Sequence, residues 1–176
     1  MQFVLPRRRA ALTSAILARF WSEFLPRRAR SVDAVRMPLD PDLVAILTGS
    51  NLGTLATIRR DGRPQLSNVG HTYDPTTGVL RISVREPLAK TKNLRRDPRA
   101  SYHVSSPDFR SWVVGEGIAE LTPVATDPHD DTVEELIDVY RTIAGEHPDW
   151  DDYRAAMVRE ARVVVKLPIT HVYGTA

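Results

Sequence analysis

Two tight turns link the first three apolar segments of this chain, and they restrict its fold more than any other feature. Alternating apolar and polar residues predict strands over residues 53–59, 64–73 and 79–84. Asp61-Gly62 is a strong hairpin signal, and the run from Asp74 to Gly78 is a second turn. Because connections this short allow only antiparallel pairing, the sheet that holds these strands is predicted to be antiparallel.

The rest of the chain alternates helices with further strands. Helices are predicted over residues 41–47, 87–97, 127–144 and 149–161. Strands are predicted over residues 100–105, 111–121, 163–167 and 170–173, the last two separated by Pro168. Gly115 and Gly117 indicate a bulge or a close backbone approach. A sheet of about six antiparallel strands, whose edges need closing, favours a small β-barrel with helices outside it, an α+β fold that is mainly β.

Positive charge is concentrated at the start of the chain. Residues 1–36 carry a net charge of +6, while residues 37–176 carry −4, although the whole chain is only +2. The larger part is therefore not typical of nucleic-acid-binding proteins. Cysteine is absent, which excludes disulfides and thiolate ligands. No apolar run is long enough for an integral membrane segment, and we expect a cytoplasmic protein.

Residues 1–36 allow three interpretations. They could form a basic amphipathic helix on a membrane surface, an arginine-rich transit-like peptide, or an extension outside the functional chain, either disordered or a misassigned start. We favour the extension because composition changes abruptly at Met37. Residues 37–176 are then the cofactor-binding domain, and we expect them to fold and bind cofactor without the first 36 residues.

A cluster of basic residues at a helix start is the strongest candidate site. A strand ends near Val84, Pro87 begins a helix, and five cations follow: Lys90, Lys92, Arg95, Arg96 and Arg99. The free N–H groups and dipole of a helix start favour an anion, and Lys90 lies in that first turn with the Thr91 hydroxyl beside it. We predict a cradle for a phosphorylated cofactor, although Lys92, Arg95 and Arg96 could equally form a solvated basic helix face.

Two other places could contact a cofactor. In a strand, Gln65 and Ser67 face one side and Asn68 the other, and their amides and hydroxyl could bond a flat heteroaromatic ring or simply meet solvent. Trp112 could stack on a cofactor, fill a dimer interface or belong to the core. The five histidines show no ligand spacing, so no metal site is expected, and no catalytic residue can be assigned.

Four segments together resemble one known superfamily. They are LGTLATIRRDGRPQLSNVGHTYD, VREPLAKTKNLRRDPRASYHV, GEGIAELTP and LPITHVYG. Over residues 38–174 the chain is similar to the pyridoxamine 5′-phosphate oxidase-like split-barrel superfamily, and most to its actinobacterial branch that binds the deazaflavin coenzyme F420. The resemblance implies a homodimer of six-stranded split β-barrels of the FMN-binding type, with two cofactor sites at the subunit interface.

The resemblance also implies where the cofactor lies. Its phosphate would lie against Ser83, Val84, Lys90 and Thr91. Its ring would lie along the segment that holds Pro64, Gln65, Ser67 and Asn68, with Trp112 supplied by the other subunit. Relatives often carry an arginine two residues before the lysine, but this chain has Leu88 there. Lys90, with Thr91 and Lys92, would then hold the phosphate alone.

The implied activity is hydride transfer from reduced F420 to a conjugated or quinone-like small molecule. Two alternatives stay open. One is an FMN-dependent oxidase of pyridoxamine 5′-phosphate, which is less favoured because the closing segment LPITHVYGTA lacks the expected arginine-rich motif. The other is a carrier that binds a cofactor or heme without catalysis, since split barrels can bind ligands without turning them over.

Overall fold

The computed structural model describes residues 39–176, and the expectations for residues 1–36 lie outside that part of the chain. The helices are α1 (Pro41–Thr48), α2 (Ala89–Arg96), α3 (Asp131–Ala144) and α4 (Trp150–Arg159). The strands are β1 (Leu52–Ile58), β2 (Pro64–Gly70), β3 (Thr72–Asp74), β4 (Val79–Arg85), β5 (Arg99–Ser105), β6 (Trp112–Ile118), β7 (Glu120–Leu121) and β8 (Arg162–Thr175). No helix among these is long and apolar enough to cross a membrane.

The strands form one curled antiparallel sheet, as the turns predict. Its order is β2-β1-β5-β6-β8-β4-β3, and β7 also pairs with β8. Two predicted strands are each interrupted once. His71 separates β2 from β3, and its N–H donates to Asn51 outside the ladder; Ala119 separates β6 from β7, and its N–H donates to Pro98. If β2 with β3, and β6 with β7, are each counted as one bent strand, the sheet has six strands. This is the expected six-stranded half-barrel with flanking helices.

The predicted break at Pro168 is wrong, because β8 runs through it without interruption. Residues 162–168 pair with β4 and residues 169–175 pair with β6, so Pro168 lies where the strand changes partner and its missing N–H is tolerated. The bulge expected near Gly117 is confirmed by a register shift between Glu116 and Gly117. A Cβ at Gly117 would lie 2.0 Å from the Pro168 carbonyl oxygen, so this close approach requires glycine.

Aspartate caps set three of the helix starts. Asp40, Asp130 and Asp149 each accept a hydrogen bond from a backbone N–H in the first turn of α1, α3 and α4. The predicted helix at Asp127 therefore begins only after the Asp130 cap, four residues later than expected. By contrast α2 begins at Ala89 after Leu88, which has no side-chain oxygen to accept a hydrogen bond.

Apolar residues fill both the concave side of the sheet and the space beneath α3 and α4. The main cluster is centred on fully buried side chains such as Leu47, Leu55 and Tyr102, and a second contains Leu136 and Tyr153. On the opposite face of the sheet, large apolar side chains stay exposed: Leu66 by 64%, Ile118 by 55% and Tyr173 by 44%. The sheet therefore has one filled face and one open face.

Candidate cofactor site

The start of α2 is a helix terminus without an internal cap. The first hydrogen bond of the helix runs from Lys92 N–H to the Leu88 carbonyl, which leaves the N–H groups of Ala89, Lys90 and Thr91 without an intrahelical acceptor. Such groups, at the positive end of the helix dipole, favour a bound anion. The local sequence leaves this end open because Leu88 stands at the capping position.

Lys90 is a partly buried cation at that open end. Within residues 39–176 no carboxylate lies within 4.0 Å of its ammonium group. By contrast, the ammonium group of Lys166 in β8 pairs with the Glu135 carboxylate at 2.6 Å. The pKa of Lys90 is lowered, first by burial and then by the positive charge of Arg162. An anionic ligand would offset both effects, so the Lys90 environment fits the predicted role.

Thr91 and Val84 take a different position from the one expected. The Thr91 side chain is fully buried, and its hydroxyl donates to the Arg85 carbonyl at 2.8 Å. The hydroxyl proton is thus held by the Arg85 carbonyl, and the expected contact of Thr91 with a phosphate stays a prediction. Val84 is 2% exposed and belongs to the core. For both residues, only the backbone remains available to a ligand.

The polar part of β2 meets α2 through a chain of hydrogen bonds. Buried Asn93 donates to the Thr57 hydroxyl at 3.1 Å, and Thr57 donates to the Gln65 side-chain oxygen at 3.1 Å. The Gln65 amide nitrogen then donates to the Ser67 hydroxyl at 2.6 Å. Gln65 and Ser67 are thus held on the inner side of β2, as their alternation predicts, and α2 links them to the region of Lys90.

The region where β2 meets α2 lies at a gap in the sheet. In the described sheet β2 pairs only with β1, and β4 beyond Arg81 pairs only with β8. Gln65 and Ser67 lie on the first of these free edges, and Ser83 lies on the second, on the side of β4 opposite the buried Ile82 and Val84. Hydrogen bonds through Thr57 and Asn93 link Gln65 and Ser67 to α2, whereas Ser83 is bonded to Arg162, whose positive charge acts on Lys90 at the start of that helix.

Pro64, Asn68 and Trp112 lie on the open face instead. Pro64 borders a cavity of about 730 Å³ together with Ile118, and Asn68 borders one of about 570 Å³ together with His103. Trp112 packs edge-on against Tyr173, with ring centroids 6.0 Å apart. The described residues of a single chain do not bring these three side chains to Lys90.

Sequence reasoning missed three cations near α2: Arg59, Arg60 and Arg162. A cavity of about 490 Å³ is bordered by Gln65 and Asn93 and by four cations: Arg59, Arg60, Lys92 and Arg96. Arg59 and Arg60 come from the β1–β2 turn, where the run RRDGR was the available signal. Arg162, at the start of β8, donates to the Ser83 hydroxyl at 3.2 Å, and no local pattern in the sequence points to it.

A family model described as "Pyridoxamine 5′-phosphate oxidase" matches residues 39–176, which is every residue that the structure describes. The chain belongs to this family. Membership confirms the expected superfamily and explains the antiparallel half-barrel and its flanking helices. Over 138 residues the chain is 29% identical to the F420H(2)-dependent biliverdin reductase of Mycobacterium tuberculosis, a match that covers 78% of this chain and 89% of that relative.

Solved structures with the same fold agree with the assignment of this chain to the family. A structure named F420 reductase is 25% identical, with a TM-score of 0.54, covering 73% of this chain and 94% of that one. A conserved hypothetical protein from Mycobacterium tuberculosis is 24% identical, with a TM-score of 0.59, covering 81% of this chain and 87% of the other. The second likeness shows the fold alone, and the first agrees with the resemblance to the deazaflavin-binding branch.

Proposed function

We propose that this chain is an F420-dependent reductase that passes a hydride to a conjugated or quinone-like small molecule in the cytoplasm. The observation that carries the proposal is Lys90 at the open start of α2, which no carboxylate of residues 39–176 pairs with, in a chain similar over most of its length to an F420H(2)-dependent reductase. A phosphorylated cofactor fits this place, because uncapped N–H groups and a desolvated cation both favour an anion.

Each part of the site has a defined task in this proposal. Lys90 and the free N–H groups of α2 hold the cofactor phosphate, and Ser83 adds a hydroxyl. Gln65 and Ser67, fixed by the hydrogen bonds from Asn93 through Thr57, position the ring along β2. The bound coenzyme supplies the hydride. The protein contributes orientation and exclusion of water from the ring, and solvent can deliver the proton that the acceptor needs.

The open face of the sheet supports a homodimer as part of the proposal. Trp112, Pro64 and Asn68 lie on that face together with exposed Leu66 and Ile118. A second copy packed there would cover apolar surface that monomeric proteins seldom expose and could bring its own Trp112 towards the cofactor ring of the first. We propose two cofactor sites in each dimer, each completed by the partner.

Equilibrium titration tests the cofactor. Purified protein is titrated with F420, FMN and heme while its tryptophan fluorescence is followed. We expect saturable quenching with F420 at a lower concentration than with FMN or heme. Tight FMN binding with negligible F420 binding would instead support the FMN-dependent oxidase, and tight binding of heme alone would support the carrier.

Turnover is tested separately, with reduced F420 under anaerobic conditions. The acceptors are a panel of enones, quinones and biliverdin, the last included because the similar reductase is named for it. We expect the absorbance of oxidised F420 to recover with at least one acceptor and not without protein. Binding of F420 with no reduction across the panel would contradict the reductase and favour the carrier.

A further inference from the structure

The resemblance leaves one place in the phosphate site without its usual cation. Leu88 stands where relatives often carry arginine, and it is 40% exposed beside the start of α2. A lone lysine is a point charge, whereas a guanidinium holds phosphate oxygens in a fixed fork. Among the described residues, the guanidinium whose charge acts on Lys90 is that of Arg162.

We propose that Arg162 is the second cation of the cofactor-phosphate site and replaces the arginine that is absent at Leu88. The inference rests on the proposed function, since it assigns a residue to the same site. Arg162 begins β8, which pairs with β4 beside Ser83. Its side chain is 25% exposed, so it is neither a fully solvated arginine nor a core residue.

The hydrogen bonds of Arg162 direct one side of its guanidinium towards the site. Nε and Nη2 donate to the Glu160 carboxylate at 2.9 and 2.7 Å, which fixes the plane of the group. Nη1 donates to the Ser83 hydroxyl at 3.2 Å. Ser83 therefore acts as an acceptor here, and its own O–H stays available as a donor. Arg162 and Ser83 together present N–H and O–H donors of the kind that phosphate oxygens accept.

The charged side chains around the Arg162 guanidinium include more cations than carboxylates. Arg85 also pairs with Glu160, at 3.1 Å, so two guanidinium groups share one carboxylate. Lys90 adds a third cation, for which the described residues offer no carboxylate within ion-pair distance. A net surplus of positive charge is thus held beside an uncapped helix start. Such a surplus is unfavourable in the free protein and becomes favourable when a phosphate binds.

The electrostatics of Lys90 indicate that the two cations are close. After burial, the charge of Arg162 is the cause that lowers the pKa of Lys90. Two cations that repel each other in this way would both be stabilised by one anion between them, because each opposite charge favours the charged form. This observation supports the placement, which already stands on the contacts with Ser83 and Glu160.

Paired ligands with and without phosphate test the assignment. Arg162→Ala is titrated with F420 and with the same deazaflavin and ribityl chain lacking phosphate, by quenching of deazaflavin fluorescence. Removing a charged hydrogen-bond donor should raise the Kd for F420 about tenfold to hundredfold and leave the Kd for the phosphate-free ligand unchanged. Arg85→Ala is the matched control, since it removes the other guanidinium from Glu160 but not the one bonded to Ser83. Because it removes one charge of the surplus, it should raise the Kd for F420 by less than Arg162→Ala does and leave the Kd for the phosphate-free ligand unchanged.

Each result bears on a different claim. An unchanged Kd for F420 in Arg162→Ala, or an equal loss for both ligands, overturns the assignment while the reductase proposal stands. A wild type that binds neither ligand overturns the proposed function itself. Thermal melting verifies that the variants are folded. If Arg162→Ala does not fold, Arg162→Lys is used: it keeps the charge without the fork and should lose affinity only for F420, by less than the alanine variant would.

Discussion

At the scale of single residues, Lys90 is the side chain whose loss should matter most for the cofactor. We expect Lys90→Ala to weaken F420 binding by about 1.5–3 kcal/mol, the range for a hydrogen bond to a charged group. Isothermal calorimetry or fluorescence titration measures this loss. Arg95→Ala is the matched control on the same helix, because Nε and Nη2 of Arg95 already donate to the Glu86 carboxylate, each at 2.7 Å. An unchanged dissociation constant in Lys90→Ala would show that the phosphate lies elsewhere.

Local spacing is sufficient to predict where a residue lies, and Lys90 does lie in the first turn of α2. Lys90 could be found from the sequence because the strand end, the proline and the lysine lie within a few positions of each other. The direction of the Thr91 hydroxyl could not, since it depends on how α2 folds back onto the Arg85 carbonyl. Arg162 lies 79 positions from Ser83, and only the pairing of β8 with β4 brings the two together. The binding roles themselves stay predictions.

At the scale of elements, buried His71 connects α1, β5 and the bend between β2 and β3. Its Nε2 lies 3.2 Å from the Leu47 carbonyl, and its Nδ1 lies 2.8 Å from the Tyr102 hydroxyl. Burial lowers its pKa below the usual 6.5. The folded state therefore binds this proton less readily than the unfolded state. The stability contributed by neutral His71 is complete above about pH 6.5 and is lost as the pH falls towards the folded-state pKa.

We therefore expect the free energy of unfolding of the wild type to fall as the pH drops below about 6.5 towards the folded-state pKa of His71, and His71→Gln to lose part of that dependence. Urea denaturation at a series of pH values measures both. His129→Gln is the control, because His129 is exposed just before the Asp130 cap of α3, and the variant should keep the wild-type slope. A slope in His71→Gln equal to that of the wild type would mean that other groups cause the acid sensitivity.

The elements themselves were predictable to the extent that they depend on local chemistry. The Asp61-Gly62 turn, the aspartate caps of α1 and α4 and the bulge at Gly117 follow from residue types, and all are present. The break at His71 and the continuity of β8 through Pro168 depend on tertiary partners: Asn51 for one, and the change from β4 to β6 for the other. Sequence patterns carry no information on either partner.

At the scale of the whole molecule, the open face of the sheet decides whether the proposed site is complete. Leu66, Ala56, Ser101 and Glu116 are register partners across β2, β1, β5 and β6, so they share one face. Exposed Ile118 lies on that face at the edge of the 730 Å³ cavity. Small and polar residues at its centre allow a second sheet to approach closely, and the apolar residues around them favour burial. We therefore expect association through this face.

A single charge on the open face tests that association. We expect the wild type to sediment at twice the chain mass of 19.7 kDa and Ile118→Asp to sediment as a monomer, because the new carboxylate would lose its water shell in the interface. Ile118→Asp should also lose F420 affinity, since it could no longer receive Trp112 from a partner. Ala155→Asp, at an exposed position of α4, is the matched control and should stay dimeric. A dimeric Ile118→Asp would place the interface elsewhere, and a monomer with full affinity would show that each site is complete in one chain.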